Sequence, residues 1–319
     1  MTLLVTGAMG FVGQAVVRAA VSRGHTVLAQ YRREFRRAEA EAIDGDVTWR
    51  ECDLGDADAV GALIAGHAIT GCIHAAALAS ERVARPKPLA AVRSNVDAVA
   101  RLLEYARLQG WRRSICVGTG SVFQAEADIS RPIPEDAPTS TVNVYGATKR
   151  CAELITSMYR SQYRLSAATV RISMVYGPPV RVAAGSAARG PIALYMAEAS
   201  AGRALYAASG ADYQASYTYI DDVAAGLLAA YEAENLNHDI YHLGSGVNHS
   251  GAEVAQAIRQ AIPGVVVELG AGASPWANAS RMRGPLAGSR LAEDTGFSPR
   301  YALTQGIAAY AQWLAGANA

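Results

Sequence analysis

Leu3-Leu4-Val5-Thr6-Gly7-Ala8-Met9-Gly10-Phe11-Val12-Gly13 is an apolar run that breaks into glycines, and Gln14 to Ser22 follows with apolar residues at helical spacing. This predicts a strand, a glycine turn and a helix. Gly7 permits the sharp turn, Gly10 lets backbone approach a pyrophosphate, and Gly13 lets the helix pack on the strand, so that the helix N-terminus faces an anion. Glycine turns also occur with no ligand, but position counts here. The first strand opens at Leu3, and the next apolar run, Thr26 to Gln30, arrives where a βαβ unit needs it.

Outward from that unit, further strands are expected at Val47 to Glu51, Gly71 to His74, Ser114 to Val117 and Ala167 to Arg171, with amphipathic helices between them. Such alternation implies a doubly wound parallel α/β sheet with ligand at the carboxyl ends of its strands. After Val180 the texture changes to the small residues of Val182 to Gly190, which read equally as a mobile segment over a site or as a plain loop. A helix from Asp221 to Ala233 and a strand from Ile240 to Leu243 are expected to return to the first domain. That domain would comprise residues 1–172 and about 217–246. A smaller, discontinuous C-terminal lobe would comprise about 173–216 and 247–319, with Ser250 as a helix cap and a strand from Val265 to Leu269.

The 319 residues are 51% hydrophobic and 18% charged, enough for a large core plus a lobe. A net charge of +1 gives no electrostatic reason to expect nucleic acid or an acidic membrane surface. The cysteines Cys52, Cys72, Cys116 and Cys151 lack metal-ligand spacing, so no metal is expected, and three lie in or beside apolar segments where a buried thiol is the expected state. No run reaches the length of a membrane span and no basic leader precedes the first strand, so the expected location is the cytoplasm.

Only two of the 29 basic residues are lysines, and one of them, Lys149, ends the stretch Tyr145-Gly146-Ala147-Thr148-Lys149. On a helix that spacing puts both side chains on one face. An ammonium near the phenol would favour its ionised form, drawing a group with an ordinary pKa of about 10 toward neutrality. Arginine carries the charge almost everywhere else, yet a residue whose charge its surroundings can tune stands here.

Together with Gly118-Thr119-Gly120-Ser121-Val122-Phe123-Gln124, these stretches resemble the short-chain dehydrogenase/reductase superfamily, in its extended NAD-dependent epimerase/dehydratase branch. Cys52-Asp53-Leu54, His74-Ala75-Ala76-Ala77, Asn95, Arg171 to Pro179 and Tyr219 to Ala224 extend the resemblance over nearly the whole chain. It implies a Rossmann sheet with Tyr145 as general acid/base on the substrate oxygen and Lys149 lowering its pKa and holding the nicotinamide ribose. Thr119 would hydrogen-bond the same oxygen, with Ser121 as a possible substitute, and Asn95 would be the helix-kinking asparagine of the catalytic set. Cofactor contacts are implied for Gly7, Met9, Gly10, Phe11, Val12, Asp53, Leu54, His74, Ala75 and Ala76, besides Tyr145 and Lys149. At the end of the second strand, where NAD-preferring relatives carry an aspartate, stand Tyr31, Arg32 and Arg33. A guanidinium pairs with a 2′-phosphate that a carboxylate repels, so NADP(H) is favoured, with NAD as the alternative if the arginines form a solvated basic patch.

Departures from the family's pattern bear on substrate. Met174 replaces an asparagine, and Ala215 replaces an arginine that binds diphosphate in nucleotide-sugar relatives. Thr119 is followed by Gly120 and Ser121 instead of the Asp-Glu pair used for elimination. Ser121, Phe123, Met174 and Arg181 are the expected substrate contacts, with Arg189, Arg281 and Arg283 as further anion contacts. The resulting expectation is an oxidoreductase interconverting an alcohol and a carbonyl on a small polar, sugar-derived substrate. An epimerase with retained nicotinamide is the alternative, and a non-catalytic dinucleotide sensor the third reading. The resemblance also implies a homodimer built on helices near Leu89 to Leu108 and Tyr145 to Tyr163.

Overall fold

The computed structural model of the protein describes residues 2–124, 128–180 and 190–316. At its centre lies a parallel sheet of seven strands: β1 (Thr2–Thr6), β2 (Thr26–Tyr31), β3 (Val47–Glu51), β4 (Ile69–His74), β5 (Arg113–Thr119), β6 (Ala167–Ile172) and β7 (Ile240–Leu243). Hydrogen bonds order them β7-β6-β5-β4-β1-β2-β3. The chain builds one half outward from β1 and the other outward from β4. The crevice beyond the carboxyl ends of these two neighbours is therefore the switch point where this topology binds ligands.

Eight longer helices accompany the sheet: α1 (Phe11–Ser22), α2 (Ala57–Ile64), α3 (Ala98–Gln109), α4 (Val144–Tyr163), α5 (Pro191–Ser200), α6 (Ile220–Glu232), α7 (Gly251–Ala261) and α8 (Leu303–Gly316). The two-residue period of the strands sorts them into layers. Leu3 and Val5 point to the face where α1 and α6 pack together, burying Val16, Val17, Leu227 and Leu228. Leu4 and Leu28 point to the other face, against Leu63, Leu102, Leu103 and Ala152 from α2, α3 and α4. Truncating one such leucine to alanine costs about 2–5 kcal/mol, the lost transfer energy plus the cavity.

Beyond β6, Met174–Tyr176 pairs in parallel with Tyr217–Tyr219, and Leu205–Ala207 with Val267–Leu269. Ser250 caps α7 in a reciprocal capping box with Glu253. Helix α4 is unusual in what it buries. Thr148, Lys149, Glu153 and Thr156 face inward, a polar stripe that only specific partners can stabilise. Among the described residues no helix is long and apolar enough to cross a membrane, and no cluster of His, Cys, Asp and Glu could hold a metal ion.

Candidate active site

At the switch point the glycine turn is packed too tightly for any side chain. Gly7 has φ +64°, and a Cβ there would stand 2.8 Å from the backbone of Ala76; one at Gly13 would stand 2.2 Å from the Gly7 carbonyl oxygen. Thr6 joins the two central strands: its Oγ1 bonds His74 Nδ1 at 2.7 Å and accepts from the Ala76 amide at 3.3 Å. Gly10 precedes α1 and offers no capping side chain, and the first turn carries no acid. The leading amides of α1, at Phe11, Val12 and Gly13, thus suit an anion such as a dinucleotide diphosphate. Met9 is buried under the turn, while Phe11 borders a cleft.

At the far end of this crevice Gln30 is 2% exposed and engaged at both ends of its amide. Its Oε1 accepts from the Gly7 amide at 3.0 Å and its Nε2 donates to the Cys52 carbonyl at 2.6 Å, so it fixes the turn itself. Tyr31 stacks on Phe35 with ring centroids 5.0 Å apart, while Arg32 and Arg33 are exposed. Arg36 reaches back instead, donating to the Met9 carbonyl and pairing with Glu39, which also accepts from Gln14 of α1 at 2.8 Å. Asp53 is exposed, with its Oδ1 accepting from the Gly55 amide at 2.9 Å, and Leu54 beside it is buried.

The proposed catalytic groups meet where β5 ends and α4 begins. Asn143 caps α4 by accepting from the Gly146 amide at 2.7 Å, and Glu81 Oε2 accepts from the Tyr145 amide at 2.9 Å. Thr119 Oγ1 accepts from the Ser121 amide at 3.1 Å, and the Thr119 hydroxyl pulls the pKa of the Tyr145 phenol down. Asn95 is wholly buried in a single π-helical turn, Arg93–Asp97, preceding α3. Its Oδ1 accepts from the Leu78 amide at 2.8 Å and its Nδ2 donates to Thr148 Oγ1 at 3.0 Å. Asn95 therefore ties the loop after β4 to the turn of α4 that lies between Tyr145 and Lys149.

Burial pushes the Tyr145 phenol up, with Thr119 and Arg283 pulling it back down. Lys149 is 5% exposed, and burial draws its ammonium down against the opposing pull of Cys116 and Glu153. Its charge acts on the buried His74, whose imidazole is pushed down to about 3 by burial first and Lys149 second. The four-residue spacing sets Tyr145 and Lys149 one turn apart on α4, Lys149 among its buried positions.

Met174 stands between two clefts. One, about 340 Å³, is bordered by Gly120, Tyr213, Ala215, Arg281 and Arg283; the other, about 330 Å³, by Phe11, Tyr176, Pro191 and Ile192. Ser121 is half-buried beside Tyr145's helix, its carbonyl 2.7 Å from where a Cβ on Gly146 would stand. Phe123 is turned away from the clefts. Its ring is 2% exposed, 5.6 Å from the His242 ring and 5.0 Å beneath the Arg171 guanidinium, leaving its carbonyl toward Arg283. Arg171 is itself buried, paired with Glu153 of α4 at 2.8 Å and bonded to the Glu135 carbonyl and to His242 Nε2. Arg181 and Arg189 lie outside the described residues.

The sequence model of the NAD dependent epimerase/dehydratase family matches residues 3–244. The chain belongs to this family. It is an enzyme of the extended short-chain dehydrogenase/reductase type, working with a nicotinamide dinucleotide. A UDP-glucose 4-epimerase from Mycolicibacterium smegmatis is 30% identical over 317 residues, covering 97% of this chain and 96% of its own. Among solved structures, a UDP-glucose 4-epimerase from Thermotoga maritima with UDP-glucose superposes over all of both chains with a TM-score of 0.87 at 21% identity. A UDP-glucose 4-epimerase from Thermus thermophilus in complex with NAD superposes over 99% of this chain and all of its own, with a TM-score of 0.83 at 26% identity.

The sequence reading missed two residues of this family member's crevice, Glu81 and Arg36. Glu81 gave no signal, because its acceptor role follows only from how the loop after β4 folds over α4. Arg36 stands in an arginine-rich stretch, and that it reaches back to the Met9 carbonyl follows only from the folded loop. Arg283 was named as an anion contact, and its packing beside Gly120 and the Phe123 carbonyl joins segments far apart in the chain.

Proposed function

We propose that the protein interconverts an alcohol and a carbonyl on a small polar, sugar-derived substrate, with Tyr145 as general acid/base. The observation that carries this reading is the placement of Tyr145 in the first turn of α4, tied through Thr148 to the buried Asn95, with Thr119 at the carboxyl end of β5 pulling its phenol pKa down. A bound nicotinamide dinucleotide supplies the hydride acceptor or donor. The glycine turn and the start of α1 would hold its diphosphate, Asp53 and Leu54 its adenine, Ala75 and Ala76 the backbone floor, and Lys149 the nicotinamide ribose. Tyr145 takes the hydroxyl proton as the carbonyl forms and returns it in the reverse direction. Thr119 holds the substrate oxygen against the phenol, and Asn95 acts at one remove by fixing the α4 turn through Thr148.

Several features favour a smaller anion over a nucleotide diphosphate. Met174 and Ala215 leave the cleft wall without the polar clamp and guanidinium that would grip a diphosphate, while Arg281 and Arg283 remain. For the cofactor, the exposed Arg32 and Arg33 and the lack of an acid at Tyr31 favour NADP(H), although the Thermus relative carries NAD. The four free cysteines agree with a reducing cytoplasm. In this reading residues 1–172 with about 217–246 form the dinucleotide domain, and the remainder the lobe that covers the substrate.

A second reading, a sugar 4-epimerase that keeps its nicotinamide bound, is favoured by the near-complete coverage shared with the Mycolicibacterium epimerase. Precipitating the purified enzyme and assaying the supernatant for dinucleotide separates the two, because only the epimerase retains it stoichiometrically. The acid/base assignment is tested by Tyr145→Phe in a panel of sugars and hydroxy acids followed by nicotinamide absorbance. Turnover should fall by roughly 10²–10⁴-fold with dinucleotide affinity nearly intact. Near-normal turnover in that variant would overturn the reading.

A further inference from the structure

We propose that Glu81 is a positioning residue for the acid/base step: its carboxylate, carried on the loop after β4, holds the Tyr145 backbone in register with the floor of the dinucleotide crevice. This rests on the reading of Tyr145 as general acid/base. Its ground is the start of α4. The first amides of a helix find no partner within it. Asn143 serves two of them, its side chain accepting from the Gly146 amide at 2.7 Å and its carbonyl from the Ala147 amide at 3.0 Å. The Tyr145 amide takes its partner from outside the helix: it donates to Glu81 Oε2 at 2.9 Å, across 64 residues of chain.

The carboxylate is committed to this bond. Glu81 is half-buried and, among the described residues, makes no ion pair, although the exposed Arg82 and Arg85 follow it in the chain. At a helix N-terminus a carboxylate makes a charge-assisted bond to the amide and meets the positive end of the helix dipole. Glu81 itself opens a short helical turn, Glu81–Ala84, which fixes the backbone from which it reaches. Beneath the bond, Val144 and Tyr145 pack on Leu78, Ala84 and Ala91, so the contact is apolar as well as polar. At its other end the same loop is fastened to the crevice. The Ala75 amide donates to the Thr6 carbonyl and the Ala76 amide to Thr6 Oγ1, each at 3.3 Å, and the Leu78 amide donates to Asn95 Oδ1 at 2.8 Å. The proposed dinucleotide floor and the Tyr145 backbone therefore belong to one braced segment. Alcohol oxidation takes a hydride from carbon and a proton from the oxygen it bears, so the two acceptors must keep their spacing, and a displacement of about 1 Å can cost roughly 100-fold.

The test separates the acceptor from the charge, in the dinucleotide-loaded protein. Glu81→Gln keeps an acceptor oxygen without the charge, Glu81→Leu has neither at similar size, and Glu81→Asp keeps the charge on a stem one methylene shorter. Turnover is followed with UDP-glucose and with the fastest sugar of the panel. The leucine and aspartate variants should lose roughly tenfold in kcat with KM moved by less than about twofold, and glutamine should restore most of the loss. In a Tyr145→Phe background the leucine substitution should cost less than about twofold more, because it acts through the tyrosine. Exchange of the Tyr145 backbone amide with solvent, read by NMR, should quicken in the leucine and aspartate variants and stay slow with glutamine. Equal losses with glutamine and leucine, an undiminished kcat with leucine, or the full leucine loss repeated on top of Tyr145→Phe each overturn the proposal. If the leucine variant does not fold, the aspartate and glutamine variants decide on the same terms, and equal kcat or equal amide exchange in the two overturns it. Failure of the underlying reading looks different. Tyr145→Phe would then stay active by itself, whatever the Glu81 variants do to the amide.

Discussion

Acid should weaken this fold in a window set by two histidines. His74 and His242 are 2% and 0% exposed, and burial pushes both imidazoles down to about 3. At His242 the cause can be followed atom by atom. Nδ1 faces the Ile133 carbonyl, which can only accept, and Nε2 faces the Arg171 guanidinium, which can only donate, so a second proton would point at a cation. An unfolded histidine takes its proton near 6.5. Between that value and about 3 the unfolded chain binds more protons than the native one, and stability falls as pH falls. Each histidine costs about 1.4 kcal/mol per unit, or about 2 kcal/mol between pH 7 and 5, and the pair about 4 kcal/mol. Asp221 works in the opposite sense, since burial raises its carboxyl and folding then favours its protonated form at low pH. Comparing variants removes that contribution. Urea unfolding followed by circular dichroism at pH 7, 6 and 5 should show the decline, and His242→Gln or His74→Gln should each remove about half of its slope. A wild type as stable at pH 5 as at pH 7, or variants with the full wild-type slope, would refute the reasoning.

Two further outcomes are expected. If Arg32 or Arg33 pairs with a 2′-phosphate, calorimetry should give NADP(H) an advantage of about 1.5–3 kcal/mol over NAD(H), roughly ten- to a hundredfold, shrinking with salt; equal affinities in the wild type, or an advantage that survives Arg32→Ala with Arg33→Ala, would count against it. Leu89, Leu108 and Leu154 are 80%, 64% and 54% exposed, on or just ahead of α3 and α4, so we expect a homodimer through these helices. Light scattering at micromolar concentration should give twice the chain mass for the wild type and the chain mass for Leu154→Arg; a wild-type monomer sinks the idea.

Elements with a strong local period were legible before any coordinates. The first, second and fourth strands were found within two residues of their observed bounds, and Ser250 was identified as a helix cap. Apolar alternation and glycine breaks are local properties, and the backbone obeys them locally. The glycine turn was legible for the same reason, since Gly7 and Gly13 are demanded by neighbours close in sequence or in the adjacent strand. What could not be read was direction. Phe123 was expected to meet substrate, and its ring is packed between His242 and Arg171 instead. A strand register or helical spacing selects a face, and which neighbour claims the polar atom depends on loops that arrive from far along the chain. Arg283 is the extreme case, because its place beside Gly120 and the Phe123 carbonyl is set by a segment some 160 residues away.

The arrangement around Arg171 bears on how this enzyme could be re-engineered. One buried side chain on β6 serves as a shared fastener for the catalytic helix through Glu153, for the stretch containing Glu135 and for β7 through His242. The Glu135 carboxylate in turn receives the Arg290 amide, so the fastener reaches into the lobe. A chimaera that borrows a relative's lobe therefore has natural seams and forbidden ones. Grafts joined after Ile172 and before Tyr217 leave every strand of the fastener in its own parent. A graft that exchanges residues 128–140 splits it, leaving a buried guanidinium whose partners come from two lineages, and such hybrids should fail at folding before their specificity can be asked about.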